Sequence, residues 1–520
     1  MAIAQLTHSV LPGGKGFDPT KNSGYQIQGC SSGLTDDARQ ALEEICVHYG
    51  NVVREQAPQA ARDAETKWRS QGVGGAVPSD ILSLFTPVLS YSQVSPQTYA
   101  LVKTVYSGLT HEGRPGNYFA HALAFVPEAL ESVGFNAAAV ARTGVLRTSD
   151  PLNANALPPL SSLGTAEPNP KAFQVLLGQP YRSHMADMAM GLMAAAAANR
   201  SVLVFPAKME DGPGLVEGLL SLLPPAFRAR TTFCSYEGDF RWIPKGLSKL
   251  TPQGSAAHHL IIAWSDENGG VRLRDDEYNT KYAVFNFRGN RFSTTPSPSR
   301  YMNFALRCVE KDRADVLFRF QDTLHKLGAD TDPDVWERLC DIAPLFTGGN
   351  AETLGKAVQA LADYAATTPA ASAAADIALP RLQDSLKKKD YDVVRAICLS
   401  LAPLAARNNH VGSTLRSWAA DEFRQGHYVV SDTLVAATGE RRETGALGVV
   451  REVLGDARLG FPRDISPADA KVATKMLVDA AVAAFRAPED PEAARILVFV
   501  FEASVHMGRQ NEVWEQLGES

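Results

Sequence analysis

The sequence predicts a multidomain protein with an α+β region, an α/β region and an all-α C-terminal region. Its 520 residues are too many for a single hydrophobic core, and two to four domains are expected. Short alternating or continuous apolar segments mark strands over the first 300 residues, whereas helical spacing dominates afterwards. We place an α+β head at 1–165, an α/β middle domain at 166–300 and a helical region at 301–520. The last is expected to be a helical-repeat-like solenoid or a bundle.

Composition narrows the class of protein. The 51 Lys and Arg residues against 57 Asp and Glu give a net charge of −6, which argues against general nucleic-acid binding. The six cysteines lie far apart without a Cys-x-x-Cys pair, as in a reducing compartment. The first residues lack the pattern of a signal peptide, and the most apolar segment, 186–198, is too short to span a bilayer. We therefore expect a cytoplasmic protein without direct membrane insertion.

The head is predicted to combine strands with one long helical stretch. Asp36 and Asp37 suit the first turn of a helix, where carboxylates complement the helix dipole. Helical character is expected to continue to about Ser70. A stretch rich in Pro, Asn and Ser at 150–170 is read as a linker. The predicted strands are 5–10, 25–28, 87–94, 99–106 and 117–125.

The middle domain is predicted to alternate strands and helices. The continuous apolar run 201–205 is typical of a strand that is buried on both faces. A helix is expected at 215–223. Further strands are predicted at 231–236 and 260–264, with a hairpin that pairs 271–273 with 282–287.

Helix boundaries are clearest in the C-terminal region. Three pairs place a capping side chain before a proline at the first helical position: Asp332-Pro333, Ser466-Pro467 and Asp490-Pro491. Gly328 suits the end of the helix before it. An Ala/Thr/Pro-rich interruption is expected at 365–375.

One short stretch, Gly113–Phe125, carries the strongest polar signal. Arg114-Pro115-Gly116-Asn117 fits a type II turn, from which Arg114 projects and can pair with a partner's carboxylate or phosphate. His121 follows on the strand, on the same face as the bulky apolar residues Phe119 and Leu123. A histidine in such surroundings is either a hydrogen-bonded core residue or part of a site, and the sequence leaves both interpretations open.

A second motif suggests nucleophilic chemistry. Gly29-Cys30-Ser31-Ser32-Gly33 matches G-x-S-x-G between a predicted strand and a predicted helix, the context of a nucleophile elbow. Ser31, or Cys30, with His121 would then form a hydrolase site. Only one strand, 5–10, precedes the strand that leads into the motif, however, and the neighbouring segments look antiparallel. The alternative is a turn that uses small residues for steric reasons.

Motifs for nucleotides and metals are missing from the sequence. It contains no G-x-x-x-x-G-K-[S/T] and no His-Glu-x-x-His, and Gly72-Val73-Gly74-Gly75 is only part of a dinucleotide fingerprint. His258 and His259 are adjacent at the start of the predicted strand 260–264, and successive residues of a strand point to opposite faces. We expect no cofactor and no metal site.

The first 300 residues resemble the GTPase-associated proteins of bacterial NTP-dependent conflict systems, which are defence-like. The resemblance lies in Gln5-Leu6-Thr7, in Gly24–Ile27 leading to Ser31–Leu34, and in Gly113–Leu123. It continues through Leu222–Pro225 and Arg230–Phe233. Together these look like the family's N-terminal domain of the second type followed by its middle domain. The resemblance implies an adaptor whose partners are a GTPase and often a membrane component, and it implies no catalytic residue.

The sequence thus favours a non-enzymatic scaffold that binds a regulatory GTPase or another NTPase. Arg114, Asn117 and His121 are its predicted partner-binding residues. A Ser/Cys hydrolase that uses Ser31 or Cys30 with His121 is one alternative. A helical-repeat module that binds proteins is another, and a contiguous exposed apolar patch would favour it.

Overall fold

The structure, a computed structural model, forms two compact units, Met1–Gln321 and Asp322–Ser520. It describes residues 2–55, 57–72, 76–149, 156–198, 200–238, 258–263, 281–455, 465–487 and 489–519. The predicted fold class is confirmed at this level, because the first unit contains a mixed sheet with helices and packed helices follow. The type of helical repeat stays a prediction.

The first unit is built on one sheet, to which ten strands of the described residues belong. Their spatial order is β10-β9-β6-β8-β7-β3-β4-β5-β1-β2. The strands are β1 (Ala4–Leu11), β2 (Gly24–Cys30), β3 (Val88–Gln93), β4 (Tyr99–Leu109), β5 (Pro115–Phe125), β6 (Ser201–Phe205), β7 (Phe233–Glu237), β8 (Leu260–Ala263), β9 (Tyr282–Asn286) and β10 (Arg291–Phe292).

The half of the sheet formed by β1 to β5 is antiparallel, as the sequence predicted. One face packs on helix α1 (Asp36–Glu55), whose first turn carries Asp36 and Asp37. The predicted helical stretch to Ser70 is interrupted, since α2 (Gln59–Ser70) begins after Pro58. The core on this face contains Leu6, Cys30, Ala122 and their neighbours. The short helix α3 (Ser79–Leu82) precedes β3.

The half formed by β6 to β9 is parallel. All five residues of β6 are buried, as its continuous apolar sequence predicted. The predicted hairpin of 271–273 with 282–287 falls partly outside the described residues; within them, β9 pairs with β10, with Asn286 and Arg291 as antiparallel neighbours across a short turn. Residues 271–273 lie outside the described residues. The helices of this region are α4 (Gln174–Leu177), α5 (Met185–Ala198), α6 (Gly212–Ser221), α7 (Pro225–Arg230) and α8 (Arg300–Glu310).

The two halves meet where β3 pairs with β7, with Tyr91 opposite Phe233. Strands from both sides of residue 165 therefore share one sheet. The division into domains 1–165, 166–300 and 301–520 stays a prediction.

The second unit consists of packed helices in its described residues. Asp332 and Ser466 accept hydrogen bonds as N-caps of the helices that begin at Pro333 and Pro467, as predicted. The third predicted start is wrong, since the helix after Asp490 begins at Ala493. The helices from α9, which crosses the boundary between the units, are α9 (Ala314–Lys326), α10 (Pro333–Leu339), α11 (Pro344–Thr347), α12 (Ala351–Thr367), α13 (Ala371–Lys387), α14 (Tyr391–Ala405), α15 (Asn409–Arg424), α16 (Tyr428–Ala436), α17 (Arg442–Leu454), α18 (Pro467–Phe485), α19 (Ala493–His506) and α20 (Gln510–Glu519).

Neighbouring helices in this unit bury a shared apolar core. Helix α12 packs on α14, α15 on α16 and α17, and α18 on α17 and α19. The interruption predicted at 365–375 corresponds to the break between α12 and α13. Among the described residues, no helix is long and apolar enough to cross a membrane.

Candidate functional site

The β4–β5 hairpin carries the predicted partner-binding residues, and its turn differs from the prediction. The chain reverses at Thr110–Gly113, where the Gly113 amide donates to the Thr110 carbonyl over 2.9 Å and Gly113 has a φ of +74°. Pro115 and Gly116 belong to the first residues of β5. The Pro-Gly pair predicted a turn, but here it forms the irregular start of a strand.

Gly116 is required at this strand start. Its φ of +105° is rare for residues with a side chain, and an added Cβ would lie 2.6 Å from Arg54 Cδ. The register between β4 and β5 shifts around Gly108, so the strand is bulged here. The Gly116 amide donates to the Tyr106 hydroxyl over 3.1 Å, and that hydroxyl donates to Glu65 Oε1 over 2.6 Å. This chain of bonds fixes the bulge to α2.

Arg114 lies beside this bulge, at the hairpin tip. Its side chain is 79% exposed, and its Nε lies 3.3 Å from Glu112 Oε2. The Arg114 amide donates to Thr110 Oγ1 over 3.2 Å, so the backbone that carries the guanidinium is held in place. An exposed arginine on an ordered backbone is suited to binding a carboxylate or phosphate of another molecule.

Asn117 holds three strands together at the base of the tip. Its Oδ1 accepts from the Val10 amide and from Ser9 Oγ, each at 3.3 Å, and its Nδ2 donates to the Leu109 carbonyl at 3.3 Å. The side chain is half-buried. These contacts give Asn117 a positioning role for the tip.

His121 lies farther along β5, fully buried. Its Nε2–H donates to Gln5 Oε1 over 3.0 Å, and its Nδ1 accepts from the Arg147 amide over 3.0 Å. Burial, assisted by the charge of Arg147, lowers the pKa of His121 to about 3. Protonation would place two N–H groups face to face at Arg147. The geometry thus gives His121 the features of a neutral, hydrogen-bonded core residue.

Ser31 extends the pairing of β1 with β2 rather than occupying an elbow. Its amide donates to the Gln5 carbonyl over 2.8 Å, and its Oγ accepts from the Gln5 amide over 2.9 Å. The residue is 3% exposed, and α1 begins only at Asp36, so no helix N-terminus lies directly behind it. The elbow geometry expected of Gly29–Gly33 is therefore not formed.

Cys30 and His121 lie on opposite faces of the sheet. Cys30 is opposite Leu6 and belongs to the core under α1, whereas His121 is opposite Thr7, the next residue along β1. Burial raises the pKa of the Cys30 thiol, which disfavours the thiolate. The structure thus does not bring these two residues together.

Gln5 is the link between Ser31 and His121, which sequence reasoning did not single out. Its backbone binds Ser31, and its side chain binds His121 and the Pro158 carbonyl. Among the described residues, no hydrogen bond joins Ser31 to His121 directly. The residues that the structure describes also include no group of three His, Cys, Asp or Glu side chains that is placed to hold a metal ion.

A second feature, which the sequence did not lead us to expect, is a cleft of about 950 Å³ at one edge of the sheet. It lies at the carboxyl ends of the parallel strands, since its lining includes residues after β6 and β9 and near the end of β7. Among the described residues of the lining, the charged ones are Arg62, Lys208, Glu210 and Arg288. Ligands of open α/β sheets bind at this edge. The available sequence signal was a basic residue shortly after each of two predicted strands, Lys208 after 201–205 and Arg288 after 282–287.

Comparison with known families identifies part of the first unit. Residues 66–163 match the family model of GTPase-associated protein 1, N-terminal domain type 2. The matched segment contains β3, β4 and β5, including the hairpin tip and His121. The resemblance to this N-terminal domain is thus confirmed over that segment. No curated protein and no solved structure matches the chain.

Proposed function

We propose that this protein is a non-enzymatic adaptor of a bacterial conflict system that binds a regulatory GTPase, or a related NTPase, and couples its nucleotide state to an effector. The observation that carries the proposal is the match of residues 66–163 to a GTPase-associated N-terminal domain. The β4–β5 hairpin belongs to that segment and presents Arg114 to solvent. Arg114 is the proposed contact residue, with Asn117 and His121 holding the hairpin that carries it.

The arrangement of polar groups along the hairpin supports this division of roles. The polar atoms of Asn117 and His121 are used within the fold, whereas Arg114 has one neighbouring carboxylate and a largely exposed guanidinium. Asp, Glu and phosphate groups are the natural partners of such a guanidinium. A switch region of a GTPase whose charge or conformation changes with the bound nucleotide would then bind in one state.

The test is capture from a lysate of the native host by the immobilised full chain, with GDP or a non-hydrolysable GTP analogue added. We expect a GTPase to be enriched in one nucleotide state and to bind again when both proteins are purified. Arg114→Glu should weaken that binding about tenfold, whereas Arg182→Glu, at another exposed arginine of the same unit, should not. No NTPase in either state would contradict the proposal.

An apolar stripe on α19 favours a second candidate function, that of a helical module that binds another protein. Val498, Phe501 and Val505 recur at helical spacing and are 57%, 47% and 48% exposed. Trp514 of α20 lies beside them, with its ring 6.2 Å from that of Phe501. A contiguous exposed apolar stripe of this kind suits an amphipathic helix of the effector.

The corresponding test uses the full chain with Val498→Asp and Phe501→Asp. The double variant should lose the effector while keeping the GTPase, and Leu399→Asp, a single exposed leucine on α14, serves as the control. If the wild-type chain self-associates and the variant does not, the stripe is instead a contact between copies.

A further inference from the structure

The cleft at the carboxyl edge of the parallel strands concentrates positive charge in an acidic protein. Arg62, Lys208 and Arg288 line it and are exposed, and Glu210 is the carboxylate among the described lining residues. The whole chain has a net charge of −6. A concave surface with an excess of cations attracts anions more strongly than the overall charge suggests.

The cations share the lining of the cleft with Tyr236. Tyr236 is 1% exposed and lines the cleft near the end of β7. Burial raises the pKa of its hydroxyl, and the positive charges of Arg62 and Arg288 oppose that rise. Arg62 and Arg288, which are far apart in the sequence, thus line one cleft together with a buried tyrosine.

The segment that carries Lys208 is fixed from two sides. The Tyr181 hydroxyl donates to Asp211 Oδ2 over 2.7 Å and accepts from the Ala207 amide over 2.9 Å. Arg288 Nε donates to the Pro206 carbonyl over 3.2 Å. The chain is thus held through its backbone before Lys208 and through the Asp211 side chain after it, so little ordering is needed when a ligand binds.

Part of the lining is apolar. Leu84 is 45% exposed beside buried Phe85, and Met209 contributes from the segment after β6. A volume of about 950 Å³ is within the range of small-molecule sites. The cleft thus offers an apolar surface for a flat ring and cations for several negative charges.

We infer that this cleft binds a nucleoside polyphosphate, with the phosphates on Lys208, Arg288 and Arg62 and the base against Leu84 and Met209. The inference concerns binding and no hydrolysis. It does not depend on the proposed GTPase partner, because the ligand binds this chain alone. An acidic peptide is a different class of ligand and would make less use of the apolar surface.

The experiment titrates the purified full chain, without any partner, into ATP and GTP that carry a fluorescent ribose label. We expect saturable binding that unlabelled nucleotide displaces. Lys208→Gln and Arg288→Gln should each weaken binding about tenfold. Lys171→Gln removes an exposed lysine of the same unit outside the cleft and should leave binding unchanged. Lys208 is the more decisive position, because the bonds that hold its segment are made by Tyr181 and Arg288.

Three results would overturn the inference. The first is the absence of saturable binding, and the second is equal binding by the wild type and both cleft variants. The third is that inorganic tripolyphosphate or a polyglutamate peptide binds as tightly as the nucleotides, which would show that the base is not recognised. Loss of binding in Lys208→Gln with an unchanged thermal unfolding temperature would support it, since the variant is then still folded.

Discussion

The tip and the middle of the β4–β5 hairpin use polar residues in opposite ways. In the middle, His121 is fully buried and both ring nitrogens are hydrogen-bonded within the fold. At the tip, Arg114 is 79% exposed on a backbone that other residues fix. Residue types that suggest chemistry in a sequence therefore have different roles in one hairpin. The buried ones stabilise the sheet, and the exposed one is available to a partner.

Low pH is expected to have the largest effect on stability. This effect should fall on the first unit, which contains the sheet and is called the sheet unit below; the second unit is called the helical unit. Burial lowers the pKa values of His8, His121 and His258 to about 3, against about 6.5 in an unfolded chain. Below pH 6.5 the unfolded state binds more protons than the folded state. The contribution of these histidines to the free energy of unfolding is therefore complete above pH 6.5 and is lost as the pH falls toward 3. At pH 5 the loss is roughly 2 kcal/mol for each histidine.

Hydrogen exchange of the full chain at pH 7.5 and pH 5.0 checks this prediction. From pH 7.5 to pH 5.0, the protection of β1 and β5 should fall more than that of the helical unit. None of the histidines of the helical unit is buried; they are His325, His410, His427 and His506. Equal losses in both units would contradict it.

Removing the His121 ring should have the next largest effect. His121→Leu leaves Gln5 Oε1 and the Arg147 amide without their partner in the core. We expect the sheet unit to lose about 3 kcal/mol of unfolding free energy, measured by chemical denaturation. His111→Leu, at the exposed tip, is the matched control and should change stability by less than about 0.5 kcal/mol. Similar losses of unfolding free energy in the two variants would contradict the proposed difference between the tip and the middle of the hairpin.

A change at the bulge that joins the tip and the middle of the hairpin should reduce stability by an intermediate amount, less than the loss of the His121 ring and more than a change at Arg114. Tyr106→Phe removes the hydroxyl that binds both Glu65 and the Gly116 amide, two buried groups. The expected loss is about 2 kcal/mol by chemical denaturation, with weaker partner binding because the tip is less well held. Tyr25→Phe, a more exposed tyrosine that also contacts Gly116, should cost less. A larger loss in Tyr25→Phe would show that α2 does not anchor the bulge.

Much of the difference between the tip and the middle of the hairpin could be predicted from the sequence. The rest depends on pairing between segments that are distant in the sequence, which local patterns do not give. Alternation of apolar residues correctly indicated the strands on either side of His121, and it left open whether the ring was buried. The Pro115-Gly116 pair suggested a turn because a glycine with positive φ suits both a turn and a bulge. Only the register of β4 against β5 distinguishes them.

The same limit explains Ser31 and the cleft. The G-x-S-x-G motif describes local spacing, whereas the position of Ser31 is set by its pairing with Gln5, 26 residues away. The cleft depends on the spatial order β9-β6-β8-β7, which brings Lys208 and Arg288 to one edge. Local periodicity predicts that strands exist and does not give their order.

The smallest effect on stability is expected at Arg114. Arg114→Glu removes one exposed contact with Glu112, and the unfolding free energy should change by less than about 0.5 kcal/mol. Thermal unfolding measures this directly. A large loss would mean that the tip stabilises the fold and is not free to serve a partner.

The most direct test of the account is nucleotide-dependent capture by three full-length chains: the wild type, Arg114→Glu and Ser31→Ala. We predict that the wild type and Ser31→Ala bind a GTPase in one nucleotide state, and that Arg114→Glu binds about tenfold more weakly while staying folded. Binding that survives in Arg114→Glu and is lost in a folded Ser31→Ala would contradict the account, because the buried motif and not the exposed tip would then carry the function.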